Sequence, residues 1–434
     1  MSGNMLSFDE ALAQLLAGAR PVADIEQVDS FAACGRVLAA AQHSALDVPP
    51  RDNSGMDGYA VNRADVPAAG TVLPVSQRIP AGSVGTPLRR GTAARIFTGA
   101  PVPPGADAVV MQERCAHEGE GVAINHVPRE GENIRRAGED IRRGAEILAA
   151  GTRLNPQETG LAASVGLAKL PVFRRLRVGV FFTGDELVMP GEPLPEGAIY
   201  NSNRYTLRGL LERLGCEVTD LGIVPDRLDA TRAVLREAAA GNDLIVTSGG
   251  VSVGEEDHVK PAVEAEGELN LWKIAIKPGK PLAFGKVSRR DTAAAHAAAI
   301  PPAPFPGRGV AGARGQSPLG GEAAFIGLPG NPVSSFVTFV MLVRPFVLRA
   351  QGAARTAPRG LMMRADFDWP KPDRRREFLR ARIDGEGGLE LFPNQSSGVL
   401  SSCAWADGLV DNPSGQTIRR GDLVRFLPFS ELLY

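Results

Sequence analysis

The sequence predicts a multidomain protein of mixed α/β and β class: a three-layer α/β domain, an inserted small β domain, a helical and extended platform, and a C-terminal β-barrel-like domain. The first observation is length, because 434 residues exceed what one ordinary hydrophobic core supports. The second is a regular alternation of strand-like and helical segments after Leu176. The third is the abundance of glycine and proline, 50 and 34 residues, which indicates many turns and short strands.

The N-terminal half mixes helical and β-type patterns. Ser7 and Glu10 have the spacing of a capping box, and the apolar residues after them predict an amphipathic helix. A second helix is expected at 30–41, before short apolar runs separated by glycine and proline. The predicted domains are the platform (1–45 and 145–175), the inserted β domain (46–144), the α/β domain (176–352) and the C-terminal β domain (353–434).

Strand and helix patterns alternate through the α/β domain. Strand-like runs at 176–182, 218–223 and 243–247 are separated by helical segments, so we expect a parallel sheet covered on both faces. Ligands bind beyond the carboxyl ends of such strands. The segment 288–324 is rich in alanine, proline and glycine, and we expect a mobile insertion because it buries too little apolar area to offset its ordering.

Charge and composition exclude several classes of partner. The formal net charge of −1 provides no electrostatic footprint for nucleic acid or an anionic membrane. The apolar run at 336–343 ends at Arg344 and is too short to span a bilayer, and the N-terminus lacks a secretory pattern. The four cysteines are widely separated, which argues against a zinc site or disulfide framework. We therefore expect a cytoplasmic protein with a small-molecule ligand.

A glycine loop follows the strand at 243–247. Ser248, Gly249 and Gly250 allow backbone amides to approach an anion, and a helix is expected to start just beyond Asp257. The alternative interpretation is a tight strand-to-helix turn whose acidic residues favour the helix dipole.

Lysine is rare and clustered. The chain has 7 lysines and 41 arginines, yet five of the lysines fall between residues 260 and 286. The alternation at 273–277 predicts a strand with Lys273 and Lys277 on one face, and Pro278–Gly279 then turns the chain and presents Lys280. These ammonium groups would repel one another unless an anion lay between them, which favours a polyanionic ligand. The alternative interpretation is chance clustering of lysines on a solvated face.

Acidic residues and rigid loops supply further candidates. Carboxylates that meet phosphates usually do so through Mg²⁺, although an acid beside glycine is also ordinary turn chemistry. The loop at 327–332, with Pro329 and Asn331, is suited to lining a pocket or to a rigid connection. The candidate acids are Asp57, Asp140, Glu186, Asp226 and Asp257.

Together these motifs closely resemble the molybdopterin molybdenumtransferases, the MoeA family, which includes the E domain of gephyrin. The resemblance spans nearly the whole chain, and its motifs occur in the same order. They lie at 52–60, 95–100, 105–110, 133–140, 183–187, 201–203, 247–257, 277–281 and 327–332.

The resemblance implies a four-domain homodimer whose active site lies between the α/β domain of one subunit and the β domains of the other. It implies adenylated molybdopterin and molybdate as substrates, Mg²⁺ as cofactor, and release of AMP with the finished cofactor. The adenylyltransferase and other cofactor-biosynthesis proteins are potential partners.

The resemblance also assigns roles to residues of this chain. Asp57 and Asp140 are implied to come from the partner subunit, and the metal ligands are implied to be Glu186, Asp226 and Asp257. These five acids form the implied catalytic set together with Lys273, Lys277 and Lys280. The implied substrate-binding residues are Thr98, Ser248, Gly249, Gly250, Ser252, Pro281, Pro329, Asn331, Arg380 and Ser397.

Three alternatives stay open at this point. The adenylyltransferase that makes the substrate shares the start of the glycine loop, but this chain continues Val251-Ser252-Val253-Gly254-Glu255 and has additional β domains. A scaffolding role, as in gephyrin, is a second alternative. Tungstate, an oxyanion of nearly the same size and charge, is an alternative to molybdate.

Overall fold

The computed structural model describes residues 5–250, 258–289 and 321–433. Its contacts divide the chain into two units. The first unit comprises Met1–Ala39, Gly151–Asn155 and Lys169–Tyr434. The second unit comprises Ala40–Ala150 and Pro156–Ala168.

Helices cluster in the first unit. The α-helices of the described residues are α1 (Phe8–Gly18), α2 (Pro156–Ser164), α3 (Ser202–Arg213), α4 (Leu228–Gly241), α5 (Val259–Glu266), α6 (Pro332–Thr338), α7 (Arg344–Ala350), α8 (Ser401–Trp405) and α9 (Phe429–Leu432). The predicted capping box is confirmed, since the Glu10 amide donates to Ser7 Oγ at 3.2 Å and the Ser7 amide donates to Glu10 Oε2 at 2.8 Å. The helix predicted at 30–41 is wrong beyond one 3₁₀ turn, Ser30–Ala32, because the chain reverses at Gly35 with φ of 82°.

The strands are short, as the glycine and proline content predicts. They are β1 (Ile25–Asp29), β2 (Gln42–His43), β3 (Asn53–Ser54), β4 (Gly58–Val61), β5 (Thr71–Ile79), β6 (Ala93–Ile96), β7 (Ala108–Met111), β8 (Cys115–Glu118), β9 (Gly121–Ile124), β10 (Ile134–Arg135), β11 (Glu146–Leu148), β12 (Lys169–Phe173), β13 (Arg177–Thr183), β14 (Leu187–Val188), β15 (Ile199–Tyr200), β16 (Glu217–Val224), β17 (Leu244–Ser248), β18 (Gly267–Lys273), β19 (Ile276–Lys277), β20 (Pro281–Ser288), β21 (Glu322–Leu328), β22 (Leu361–Arg364), β23 (Arg376–Ile383), β24 (Leu389–Leu391), β25 (Gly408–Asn412) and β26 (Leu423–Pro428).

The α/β sheet of the first unit has the strand order β16-β13-β17-β21-β20-β18. The first four strands are parallel, but β20 is antiparallel to both β21 and β18. The prediction of a wholly parallel sheet is therefore wrong for β20, which runs opposite to both of its neighbours, while β18 runs in the same direction as the first four strands. The reason is that residues 274–280 are too few for a crossover, so β18 and β20 pair as a hairpin.

Helices cover both faces of this sheet. Phe182 and Val246 belong to one buried cluster with residues of α1, α3 and α6. Phe181 and Ile245, their chain neighbours, belong to a separate cluster with residues of α4 and α5. Because successive strand residues point to opposite faces, the two clusters form the two sides of a three-layer domain.

One long apolar helical segment packs inside the first unit. It runs from Pro332 to Ala350 through α6, a π-helical turn at Phe339–Val343, and α7. By length and composition alone it could cross a membrane, but 94% of its most apolar window is buried inside the protein. Core helices have this character.

A second six-stranded sheet contains the C-terminal strands. Its order is β19-β23-β25-β26-β22, and β24 pairs with β23. The edge strand β19 comes from the connection between β18 and β20, so this segment contributes to a different sheet from its neighbours. Phe426, Leu379 and Val410 lie in the core of the sheet.

The second unit is mainly β. Its sheet has the order β7-β4-β6-β5-β9-β8, with two short pairs, β10-β3 and β11-β2. Buried clusters around Val110 and around Ile96 lie on the two faces of this sheet. The predicted fold class, mixed α/β with several sheets, is confirmed.

The predicted insertion at 288–324 is too wide at both ends. Ser288 in β20 pairs with Glu322 in β21, and the next pair of the same two strands is Val287 with Ala323. Residues 290–320 lie outside the described part of the chain.

Candidate active site

A cavity of about 760 Å³ opens in the first unit, at the carboxyl ends of the parallel strands, where α/β sheets bind ligands. Loops that follow four strands supply one part of its wall, and segments near the C-terminal sheet supply another. Its lining includes Thr183, Gly184, Glu186, Asp226, Gly249, Gly250, Lys277, Lys280, Pro281, Pro329, Asn331, Arg375, Gln395, Ser396 and Ser397.

The glycine turn after β17 is set by backbone geometry. Gly249 and Gly250 have φ values of 99° and 62°, in the left-handed region that favours glycine. A Cβ atom on Gly250 would lie 2.5 Å from Val259 Cγ2, so a larger residue would clash there. The Gly249 amide donates to the Leu328 carbonyl at 3.2 Å, and this predicted anion donor is therefore already engaged.

Ser248 holds neighbouring loops together. It is buried, its hydroxyl donates to the Pro329 carbonyl at 3.0 Å, and it accepts from Asn203 Nδ2 at 2.8 Å. Asn203 also donates to the Gly330 carbonyl at 2.7 Å. Ser248 therefore lies beneath the cavity lining. Sequence reasoning gave Asn203 no role, although its place in the first turn of α3 was the available signal.

Two of the predicted metal-binding acids line the cavity. Glu186 follows β13 and Asp226 follows β16. The Asp226 amide donates to Asp185 Oδ1 at 3.2 Å, which links the two loops. No group of three potential ligand side chains is preformed among the residues that the structure describes. Asp257, the third predicted ligand, and Ser252 lie outside the described residues.

The lysine segment does not form the single strand that its alternation predicts. Ile274 and Ile276 are buried as expected, but β18 ends at Lys273 and β19 begins at Ile276. The Ile276 amide donates to the Ile274 carbonyl at 2.9 Å, so the chain turns between the two sheets. Lys277 and Lys280 consequently line the cavity, whereas Lys273 is exposed and is not part of its lining.

Lys277 is held by two carboxylates from the C-terminal part of the chain. Its Nζ lies 3.1 Å from Glu377 Oε1 and 3.5 Å from Asp373 Oδ2. Glu377 is fully buried, and its Oε2 also accepts from Trp369 Nε1 at 2.8 Å. Lys280, by contrast, makes no ion pair with a described carboxylate within 4 Å.

Arg375 brings a guanidinium group to the cavity wall. It pairs with Asp373 at 2.8 Å, and this hydrogen-bonded partner is the main reason that the pKa of Asp373 lies well below its usual range. Asp373 therefore joins Lys277 and Arg375 in one charged network. From this part of the chain the sequence predicts Arg380 and Ser397 as site residues, but not Arg375, Asp373 or Glu377.

Arg380, the arginine that the resemblance assigned to substrate, is buried and is not part of the cavity lining. It is 1% exposed, and its guanidinium donates to Ser402 Oγ at 3.1 Å and to the Ser396 carbonyl at 3.3 Å. Burial lowers its pKa to about 10. Arg375, which lies just before β23, reaches the wall instead. The predicted Ser397 does line the cavity, beside Gln395 and Ser396.

Three predicted site residues belong to the second unit. Asp57 Oδ1 accepts from the Thr98 amide and from Thr98 Oγ1, each at 2.8 Å. The hydrogen bond from the Thr98 backbone amide contributes most to lowering the pKa of Asp57, so the carboxylate is ionised at neutral pH. Asp140 is exposed, and its amide donates to the Val48 carbonyl at 3.0 Å.

Three family models match successive parts of the chain. The MoeA N-terminal region (domain I and II) matches residues 6–166, a probable molybdopterin binding domain matches 179–349, and the MoeA C-terminal region (domain IV) matches 363–429. The middle match contains the loops that follow β13, β16, β17 and β21.

Known proteins are similar over the full length. The molybdopterin molybdenumtransferase of Haemophilus influenzae is 36% identical, covering 99% of this chain and 100% of that protein. The molybdopterin molybdenumtransferase of a Nostoc species is also 36% identical, covering 91% and 86% respectively. The crystal structure of a molybdopterin biosynthesis moeA protein from Pyrococcus horikoshii matches with a TM-score of 0.76 and 27% identity, covering 98% of this chain and 100% of that one.

The chain therefore belongs to the molybdopterin molybdenumtransferases, the MoeA family, and is an enzyme of molybdenum cofactor biosynthesis.

Proposed function

We propose that this enzyme inserts molybdate into adenylated molybdopterin and releases AMP in a reaction that depends on Mg²⁺. The observation that carries the proposal is the composition of the cavity. Carboxylates from the loops after β13 and β16 share one space of about 760 Å³ with Lys277, Lys280 and Arg375.

The cations suit the substrates. Molybdate is a tetrahedral dianion, and adenylated molybdopterin carries a pyrophosphate, so binding both gathers several negative charges that repel one another. Lys277, Lys280 and Arg375 offset those charges, while the Ser397 hydroxyl offers a neutral hydrogen bond to an oxyanion. Arginine adds a planar pair of donors that a lysine lacks.

The acids suit the cofactor. Glu186 and Asp226 supply the hard oxygen ligands that Mg²⁺ prefers, and the Asp185 contact fixes the spacing of their loops. The predicted third acid, Asp257, would complete the set. Bound Mg²⁺ would polarise the phosphoanhydride of the substrate. The protein itself orients that substrate against the glycine turn.

Assembly is part of the proposal. We propose a cytoplasmic homodimer of four-domain subunits, with the division 1–45 plus 145–175, 46–144, 176–352 and 353–434. In it, Asp57, Thr98 and Asp140 of one subunit face the cavity of the partner. The Thr98 contacts hold Asp57 ionised in a fixed orientation, as a group that acts on a substrate or its metal requires.

The test uses purified protein with adenylated molybdopterin, Mg²⁺ and molybdate. We expect AMP release that requires both molybdate and Mg²⁺, and a product that activates an apo-molybdoenzyme. Absence of molybdate-dependent AMP release would contradict the proposal. Tungstate in place of molybdate measures the preference between the two oxyanions.

A further inference from the structure

Thr183 is a buried hydroxyl at the end of β13 that the proposed chemistry does not use. The residue is 3% exposed, yet its Oγ1 has no hydrogen-bond partner among the described residues. A buried hydroxyl without a partner has lost its hydrogen bonds to water and forms none within the protein, which costs free energy of folding. Such groups are rare in folded proteins and call for an explanation.

The hydroxyl lies beside the glycine turn, and the residue Thr183 is part of the cavity wall. Thr183 is part of the lining, and a Cβ atom on Gly250 would be 2.8 Å from its Oγ1. The Thr183 carbonyl is equally close to the turn, at 2.7 Å from where a Cβ on Gly249 would be. Thr183 and the two glycines therefore form one continuous piece of wall.

A comparison within the α/β domain shows what a structural threonine looks like. Thr231 in α4 is also buried, and its hydroxyl donates to the Arg227 carbonyl at 2.9 Å. Thr183 has no such bond within the described part of the chain, so its hydroxyl contributes nothing of this kind to the fold there. Its O–H therefore needs an acceptor from outside the described part of the chain.

We propose that the Thr183 hydroxyl donates a hydrogen bond to a phosphoryl oxygen of the substrate, which makes Thr183 a further phosphate-contacting residue. A phosphoryl group is favoured over molybdate because Thr183 adjoins the glycine turn, whereas Lys277 and Arg375 belong to segments of the C-terminal sheet. The Gly249 amide already donates to Leu328, so it is not free to bind the phosphoryl group. The proposal rests on the proposed function for the identity of the substrate.

The experiment compares Thr183→Val with wild-type protein. Valine keeps the shape and removes only the hydroxyl. We expect binding of inorganic pyrophosphate, measured by calorimetry with Mg²⁺, to weaken about tenfold, the size of a lost hydrogen bond to a charged group. KM for adenylated molybdopterin should rise by a similar factor, with kcat changed less. Molybdate binding should be unchanged.

Stability separates this role from a structural one. Thr183→Val should unfold at the wild-type temperature or higher, whereas Thr231→Val should unfold at a lower temperature and keep wild-type pyrophosphate binding. Thr183→Ser should restore binding. A loss of stability in Thr183→Val like that in Thr231→Val, or wild-type pyrophosphate binding by it, would overturn the proposal. So would wild-type protein that does not bind pyrophosphate.

The outcome is distinguishable from failure of the proposed function. Pyrophosphate binding is measured without turnover, so it reports on Thr183 even if molybdate-dependent AMP release is absent. Conversely, normal AMP release together with unchanged pyrophosphate binding in Thr183→Val would retain the function and reject only the role of this residue.

Discussion

At the scale of single residues, the cation at Lys277 depends on a carboxylate that never reaches solvent. Glu377 is fully buried and connects Lys277 to Trp369, so it fixes where the ammonium group lies. Removing the charge of Glu377 while keeping its size would leave Lys277 with the half-buried Asp373 alone.

We predict that Glu377→Gln lowers the free energy of unfolding by about 1–3 kcal/mol. The buried carboxylate loses its charge, and the new glutamine NH₂ group cannot accept a hydrogen bond from the donors around it. KM for molybdate should also rise. Urea unfolding and AMP-release kinetics measure the two effects. Glu390→Gln, which weakens an exposed pair with Arg382, is the matched control and should leave both nearly unchanged. Equal effects of the two variants would contradict the assignment.

The Asp373–Arg375 pair gives a pH dependence with a definite sign. Arg375 lowers the pKa of Asp373 in the folded protein, below about 3.9 in the unfolded chain. The resulting stabilisation is complete above the unfolded value and is lost as the pH falls toward the folded one. The difference in unfolding free energy between wild type and Asp373→Asn should therefore be constant from pH 8 to 5 and shrink below about pH 4. A difference that already shrinks between pH 8 and 6 would be inconsistent with this pair.

At the scale of elements, the sequence predicts a helix or strand correctly where the residues of that element alone determine its conformation. The Ser7–Glu10 pattern identified the start of α1, and the strand-like runs placed β13, β16 and β17 within a few residues. The helix expected at 30–41 was wrong because Gly35 adopts a positive φ, which the apolar pattern does not reveal.

The rest depended on contacts between distant segments. The Leu6 amide donates to the Lys273 carbonyl and the Arg376 amide donates to that of Ala275, each at 2.9 Å, which divides the lysine segment between two sheets. The same packing decides that Arg375 reaches the cavity while Arg380 is buried. Spacing alone could not choose between these two arginines.

The cap of α1 affects this segment, since Leu6 precedes it directly. We predict that Ser7→Ala costs about 1 kcal/mol of stability, because a helix amide loses its partner, while Ser7→Thr retains most of it. Urea unfolding measures both variants. If alanine and threonine were equally stable, the cap would not contribute as proposed.

At the scale of the whole molecule, a site shared between subunits predicts complementation. Asp57→Asn and Lys277→Met should each be nearly inactive as homodimers. After subunit exchange, a shared site gives each mixed dimer one intact site, so the mixture should recover about a quarter of wild-type AMP release. Gel filtration and activity assays on the mixture test this. No recovery, despite demonstrated exchange, would place both residues in a site within one subunit.

AMP release measured against molybdate concentration is the decisive test of molybdate insertion at this cavity. Wild-type protein should release AMP with saturable dependence on molybdate. Lys260→Met, which alters an exposed lysine on α5 outside the cavity lining, should behave like wild type, and Lys277→Met should lose most of the molybdate-dependent rate. Molybdate-independent release by wild-type protein, or an unimpaired Lys277→Met, would mean that this cavity does not insert molybdate.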